Sequence, residues 1–153
     1  MKKLFGHLSV MILLVIFVLS GCKKYPEGPS FSLRTKKARI TNTWTLEKYL
    51  FDDSLATSWY TNTYSSTIYT INSDYTMTTE TQSAVNNTVH KGKWSFQSQH
   101  NVLEFQESEL VQNGTSYFSS DKHEFIIQEL RYKVFAIKEK IAGHTSTYYF
   151  KPK

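Results

Sequence analysis

The ionisable side chains of this chain are few and scattered, and their spacing limits the chemistry they can do. Asp52 and Asp53 are adjacent. Neighbours on a strand point to opposite faces, so the pair suits a turn better than two carboxylates converging on one scissile bond. Glu104, Glu107 and Glu109 crowd a short β-prone run, where a bulge at a solvated edge accounts for them. His90, His100, His123 and His144 stand apart with no His-x-His pair, and Cys22 is the sole cysteine. That set predicts no metal centre, because zinc sites draw on clustered thiolates and imidazoles. His123 beside Glu124 resembles a general base, yet no serine sits in a Gly-x-Ser-x-Gly elbow and no phosphate loop or dinucleotide fingerprint appears. The expectation is a protein that is not an enzyme and carries no cofactor.

What the chain has in excess is aromatic surface, with 3 tryptophans, 10 tyrosines and 10 phenylalanines. Large rings dominate core energetics, so most of them should simply pack. The candidates for lining a ligand pocket are Trp44, Trp59, Tyr64, Tyr69, Trp94 and Phe135. Of these, Trp59 and Tyr64 fall with Tyr60 in residues 52–66, a connection of about 15 residues that is long for one without a function. It either closes the mouth of the domain or packs on its outside.

The elements that must position these rings are almost all strands. Residues 22–32 hold two prolines and a glycine without apolar periodicity and read as a tether. Ser32 is placed to cap a short helix over residues 33–40, with basic residues toward its C-terminal end, where the macrodipole favours them. Beyond it the chain is rich in Thr, Tyr, Phe, Val and Ile, which suit a pleated surface. Eight strands are expected, near residues 43–51, 67–71, 75–80, 89–96, 102–112, 115–130, 133–140 and 145–151. The fifth should bulge near Glu107, and the sixth should break near residues 119–122. Asn113-Gly114 between them is the strongest hairpin signal, because a type I′ turn needs positive φ at both central residues. Short connections favour antiparallel neighbours, so the fold class is all-β, an eight-stranded antiparallel meander closed into a β-barrel, with one short N-terminal helix. Closure removes the exposed edges that an open sheet of this length would carry. A two-sheet sandwich is the alternative.

The N-terminus has the plan of a secretory signal: Lys2 and Lys3, an apolar run over residues 10–19, then Leu19-Ser20-Gly21-Cys22. The run is shorter than the ~20 apolar residues that a transmembrane helix needs. The block resembles the lipobox of bacterial lipoproteins. That resemblance implies cleavage after residue 21, acylation of Cys22 and attachment to a membrane through lipid, with residues 22–32 as tether and 33–153 as the domain. Lys23 after the cysteine, in place of aspartate, is similar to the pattern for outer-membrane sorting, facing the periplasm. The formal charge of +5 loses the two lysines of the signal. What remains is dispersed, apart from Lys23-Lys24 and the cluster of Arg34, Lys36, Lys37 and Arg39. Those clusters are within reach of anionic headgroups, or are merely solvated. Lys91 and Lys93 near Trp94 are the nearest approach to a nucleic-acid stripe, and no nucleic-acid partner is expected.

The order of landmarks over residues 33–153 resembles the small lipocalin-like domains of bacterial lipoproteins. The match is carried by Asn42-Thr43-Trp44-Thr45-Leu46, by Thr70-Ile71-Asn72-Ser73-Asp74-Tyr75-Thr76-Met77, by Gly92-Lys93-Trp94-Ser95-Phe96, and by Phe125-Ile126-Ile127 with Lys133-Val134-Phe135-Ala136-Ile137. It implies a barrel with one end plugged by the early helix and Trp44, and an interior able to hold a small apolar or amphipathic ligand. The alternative is a scaffold of the same fold that docks an envelope protein partner and binds no small ligand.

Overall fold

The computed structural model describes residues 34–97 and 101–153. The Leu19 to Cys22 block with its acylation site, the tether and the expected cap Ser32 lie outside the described residues. The elements run α1 (Lys36–Ile40), β1 (Asn42–Phe51), β2 (Ser54–Leu55), α2 (Thr57–Thr63), β3 (Tyr64–Ile71), β4 (Thr76–Ser83), β5 (Asn87–Phe96), β6 (Val102–Gln112), β7 (Thr115–Phe118), β8 (Lys122–Leu130), β9 (Phe135–Ile141) and β10 (His144–Pro152).

The sheet is an antiparallel meander, β1-β3-β4-β5-β6-β8-β9-β10, and pairing of β10 with β1 closes it into an eight-stranded barrel of lipocalin-like architecture. Two short strands stand outside the ring, β2 on β1 and β7 on β6. The turns form where the chemistry demands them. Asn113 (φ 49°) with Gly114 (φ 83°), and Ala142 (φ 51°) with Gly143 (φ 88°), take the left-handed conformation that matches the twist of flanking strands. Asp52 (φ 47°) and Asp53 (φ 61°) make the corresponding turn between β1 and β2. The expected break in the sixth strand is the gap between β7 and β8.

One end of the barrel is sealed. Trp44 at the start of β1 and Ile40 at the end of α1 are fully buried, and the indole Nε1–H donates to the Ile40 carbonyl at 2.8 Å. Around them pack Ile71, Met77, Trp94, Leu103, Ile127, Leu130, Phe135, Ile137 and Phe150. Helix α1 starts three residues later than the sequence predicts, capped by the Thr35 hydroxyl, which accepts from the Ala38 N–H. Three basic residues in and just before it contact the barrel. Arg39 Nη1 donates to the Leu130 carbonyl at 2.9 Å, Lys37 Nζ lies 3.6 Å from the Tyr75 ring centre, and the Arg34 guanidinium lies 4.5 Å over Tyr132. These cation-to-ring and carbonyl contacts hold the plug on the barrel.

Strand β6 bulges as expected. Lys91 pairs with Glu109 and Gly92 with Glu107, so Ser108 is the extra residue. Its hydroxyl donates to the Lys91 carbonyl at 3.1 Å. Gly92 permits this close approach: a Cβ there would lie 2.1 Å from the Gln106 carbonyl oxygen and 2.8 Å from the Phe105 ring. Gly92→Ala should therefore destabilise the fold by about 1–3 kcal/mol, the usual cost of overpacking, seen as a lower urea midpoint at unchanged slope.

Candidate functional site

The other end of the barrel is a mouth, and the pairing of β1 creates it. Against β10, β1 is registered along nearly its whole length, from Trp44 opposite Pro152 to Phe51 opposite Ser146. Against β3 it pairs only from Asn42 to Thr45. A wedge opens beyond Thr45, and residues 52–63 fill it. The segment Thr57–Thr63 is poor in strong helix formers and its first turn has no side-chain cap, so α2 depends on tertiary anchors. The Tyr49 N–H donates to Thr57 Oγ1 at 2.9 Å, and the Thr57 hydroxyl and Ala56 N–H both donate to the Tyr49 carbonyl. On the opposite side the Tyr60 hydroxyl lies 3.2 Å from Thr67 Oγ1 of β3. Helix α2 thus bridges the two strands that have parted.

Under this bridge is a cavity of about 510 Å³ lined by Tyr49, Trp59, Tyr60, Tyr64 and Tyr148 together with Thr81, Ser83, Asn86, Thr88, His90, Ile141 and Ser146. The rings pack against one another in tilted pairs, with centroids 4.6 Å apart for Tyr49 and Tyr60, 4.8 Å for Tyr60 and Tyr64, and 5.2 Å for Tyr49 and Tyr148. The Tyr49 and Ser146 hydroxyls are 3.0 Å apart. Burial pushes the phenol pKa values of Tyr60 and Tyr148 above the ordinary tyrosine value. These phenols therefore stay neutral and serve as hydrogen-bonding groups on aromatic walls.

Deeper in the barrel, a second cavity of about 130 Å³ is lined by Tyr69, Thr79, Thr81, His90, Phe105, His123, Phe125 and Glu139, and it shares Thr81 and His90 with the first. Here four ionisable groups meet. His90 Nδ1 lies 2.7 Å from Glu107 Oε2, His123 Nε2 lies 3.8 Å from the same oxygen, and His123 Nδ1 lies 3.4 Å from Glu139 Oε1. The Glu107 side chain is only 2% exposed. The Phe125 and Phe105 rings are both parallel-stacked with the His123 imidazole. The Glu139 carboxylate, hydrogen-bonded to it, raises the His123 pKa above the usual histidine value against the opposing effect of burial.

No protein-family model matches this sequence, and no curated protein matches it.

The six aromatic candidates divide by depth. Trp59 and Tyr64 line the upper cavity and Tyr69 lines the lower one. Trp44, Trp94 and Phe135 are packed in the sealed end and line neither. Residues 52–66, which the sequence leaves between closing a mouth and packing outside, contribute Trp59, Tyr60 and Tyr64 to the mouth's lining. Tyr60 was noted only as part of the 52–66 segment, and Tyr49 and Tyr148 are site residues that sequence reasoning passed over. So are the titratable groups. Glu107 is not part of a solvated edge but continues the inward alternation of Leu103 and Phe105. His90 and His123 are not isolated, because β5, β6 and β8 lie side by side. Glu124 is not the partner of His123; it faces away and pairs with Lys122 at 3.2 Å.

Two outcomes follow from this geometry. Thr57→Val keeps the side-chain shape but leaves the Tyr49 N–H without its acceptor, and should cost about 1–2 kcal/mol in denaturant unfolding. For His123, a folded-state pKa raised above 6.5 means that the stability from its Glu139 contact is fully present below that value and is lost as pH rises through the folded value. The difference in melting temperature between the wild type and Glu139→Gln should therefore shrink between about pH 6 and about pH 8.

Proposed function

We propose that this chain is a lipid-anchored envelope lipoprotein whose barrel binds a small amphipathic molecule. The observation that carries the ligand-binding reading is the upper cavity. At about 510 Å³ it falls in the size range of small-molecule sites, and its aromatic walls carry hydroxyls that orient a bound group. A purely apolar ligand fits this lining less well than an amphipathic one, because threonine, serine and tyrosine hydroxyls and His90 would lose water without gaining a partner. The anchor reading rests on the Leu19 to Cys22 block alone.

A second reading is favoured by a different observation. Leu55, Trp59, Val85 and Ile141, at or near the turns of the open end, are all more than half exposed, with Leu55 at 73% and Val85 at 80%. Exposed apolar residues ringing a mouth suit a protein partner.

Native mass spectrometry of the protein taken from its own envelope should show a co-purifying small molecule that is absent after Tyr60→Ala and Tyr148→Ala are combined. An empty barrel alongside a specific crosslinked protein at Trp59 would favour the second reading instead. Cys22→Ala should abolish incorporation of a palmitate analogue and release the domain from the membrane fraction; incorporation undiminished in that variant would refute the anchor.

A further inference from the structure

The lower cavity brings together an arrangement that the ligand-binding reading does not yet use. One carboxylate, Glu139 from β9, lines it, a second, Glu107 from β6, lies behind His90 and His123, and the partners that face them are imidazoles. Among the described residues, neither cavity lining holds a lysine or an arginine. Once His123 is neutral, Glu139 is a largely buried carboxylate with no fixed cation on the cavity side, which is costly unless a positive charge arrives. The upper cavity that adjoins it is lined by Tyr49, Tyr60 and Tyr148, and aromatic rings attract cations.

We propose that the lower cavity is a site for the protonated amine of an amphipathic ligand, with Glu139 as its counter-ion and the tyrosine-lined upper cavity as the seat of its apolar body. The proposal rests on the ligand-binding reading above and specifies the ligand's charge. Glu139 lines the cavity directly, whereas Glu107 stands behind His90 and His123 and adds to the negative field. His123 is then a competitor for the same carboxylate. It is faced by Glu107 from β6, His90 from β5, Glu139 from β9 and Asp121 ahead of β8, with Tyr69 of β3 on the same cavity. When protonated, His123 satisfies Glu139 internally; when neutral, it leaves the carboxylate to the ligand. Amine binding should therefore release a proton and strengthen as pH rises through the His123 titration.

The test uses three probes matched in ring and chain: tyramine, 4-ethylphenol and 3-(4-hydroxyphenyl)propionate, which are cationic, neutral and anionic, titrated calorimetrically against the full chain. Tyramine should bind at least roughly tenfold more tightly than 4-ethylphenol, about 1.4 kcal/mol, with the anion weakest. Glu139→Gln should reduce tyramine to the affinity of 4-ethylphenol, whose binding to the same variant checks that the cavity persists. His123→Gln should remove the pH dependence of tyramine binding while keeping the preference for the cation. Equal affinity for all three probes, or preference for the anion, overturns the amine site and leaves the ligand-binding reading intact. Failure of all three to bind in the millimolar range overturns both.

Discussion

Strand β1 has two neighbours of unequal reach, and the functional end of the molecule depends on that inequality. Its full-length pairing with β10 closes the barrel, while its short pairing with β3 lets the two strands part beyond Thr45. A parted pair inside a closed barrel leaves backbone groups without ladder partners, and these must be satisfied some other way. The chain solves this with β2 and α2, which return to the Tyr49 amide and carbonyl and reach across to Thr67. The tyrosines of the mouth are therefore products of a strand separation. Tyr49 comes from one lip, Tyr64 from the other, and Tyr60 from the helix between them.

The interior is divided along its axis, and each half constrains the other. The sealed end is a packed apolar core in which Trp44 and Trp94 each satisfy their indole N–H with a backbone carbonyl, at 2.8 and 3.0 Å. Side chains of this kind contribute about 1.5–3 kcal/mol each on burial. That half must supply the stability, because the open half carries paired carboxylates and imidazoles whose desolvation largely offsets their mutual attraction. Phe105 and Phe125 mark the boundary, since both belong to the core and both stack on His123.

Much of the fold was legible because turns and alternation are local. Asn113-Gly114, the bulge near Glu107 and the break ahead of Lys122 can be read from neighbouring residues, whereas the plug of the early helix and Trp44 was implied only by the resemblance. Helix α2 was not legible. Its sequence, Thr-Ser-Trp-Tyr-Thr-Asn-Thr, has little helical preference, and the contacts that fold it come from β1 and β3. The site was legible only in part. Residue type alone cannot separate Trp44, Trp94 and Phe135, which are core, from Trp59 and Tyr64, which line the mouth, because the distinction is depth along the barrel axis. The Glu107 cluster needed one further step. Its inward direction follows from Leu103 and Phe105, but its meeting with His90, His123 and Glu139 requires knowing that β5, β6, β8 and β9 are consecutive in the wall.

The seam between β1 and β10 also governs how the protein reaches this structure. Trp44 faces Pro152 and the Lys153 N–H donates to the Thr43 carbonyl, so the contacts that complete the barrel join opposite ends of the domain. Such pairings come late, because the entropy of closing a long loop must be met before the pairing returns anything. Until β10 docks, both β1 and β9 present an unpaired edge, and β1 carries Trp44 without its enclosure. A nascent chain of this topology is thus at greatest risk of pairing with another copy just before its own final strand arrives.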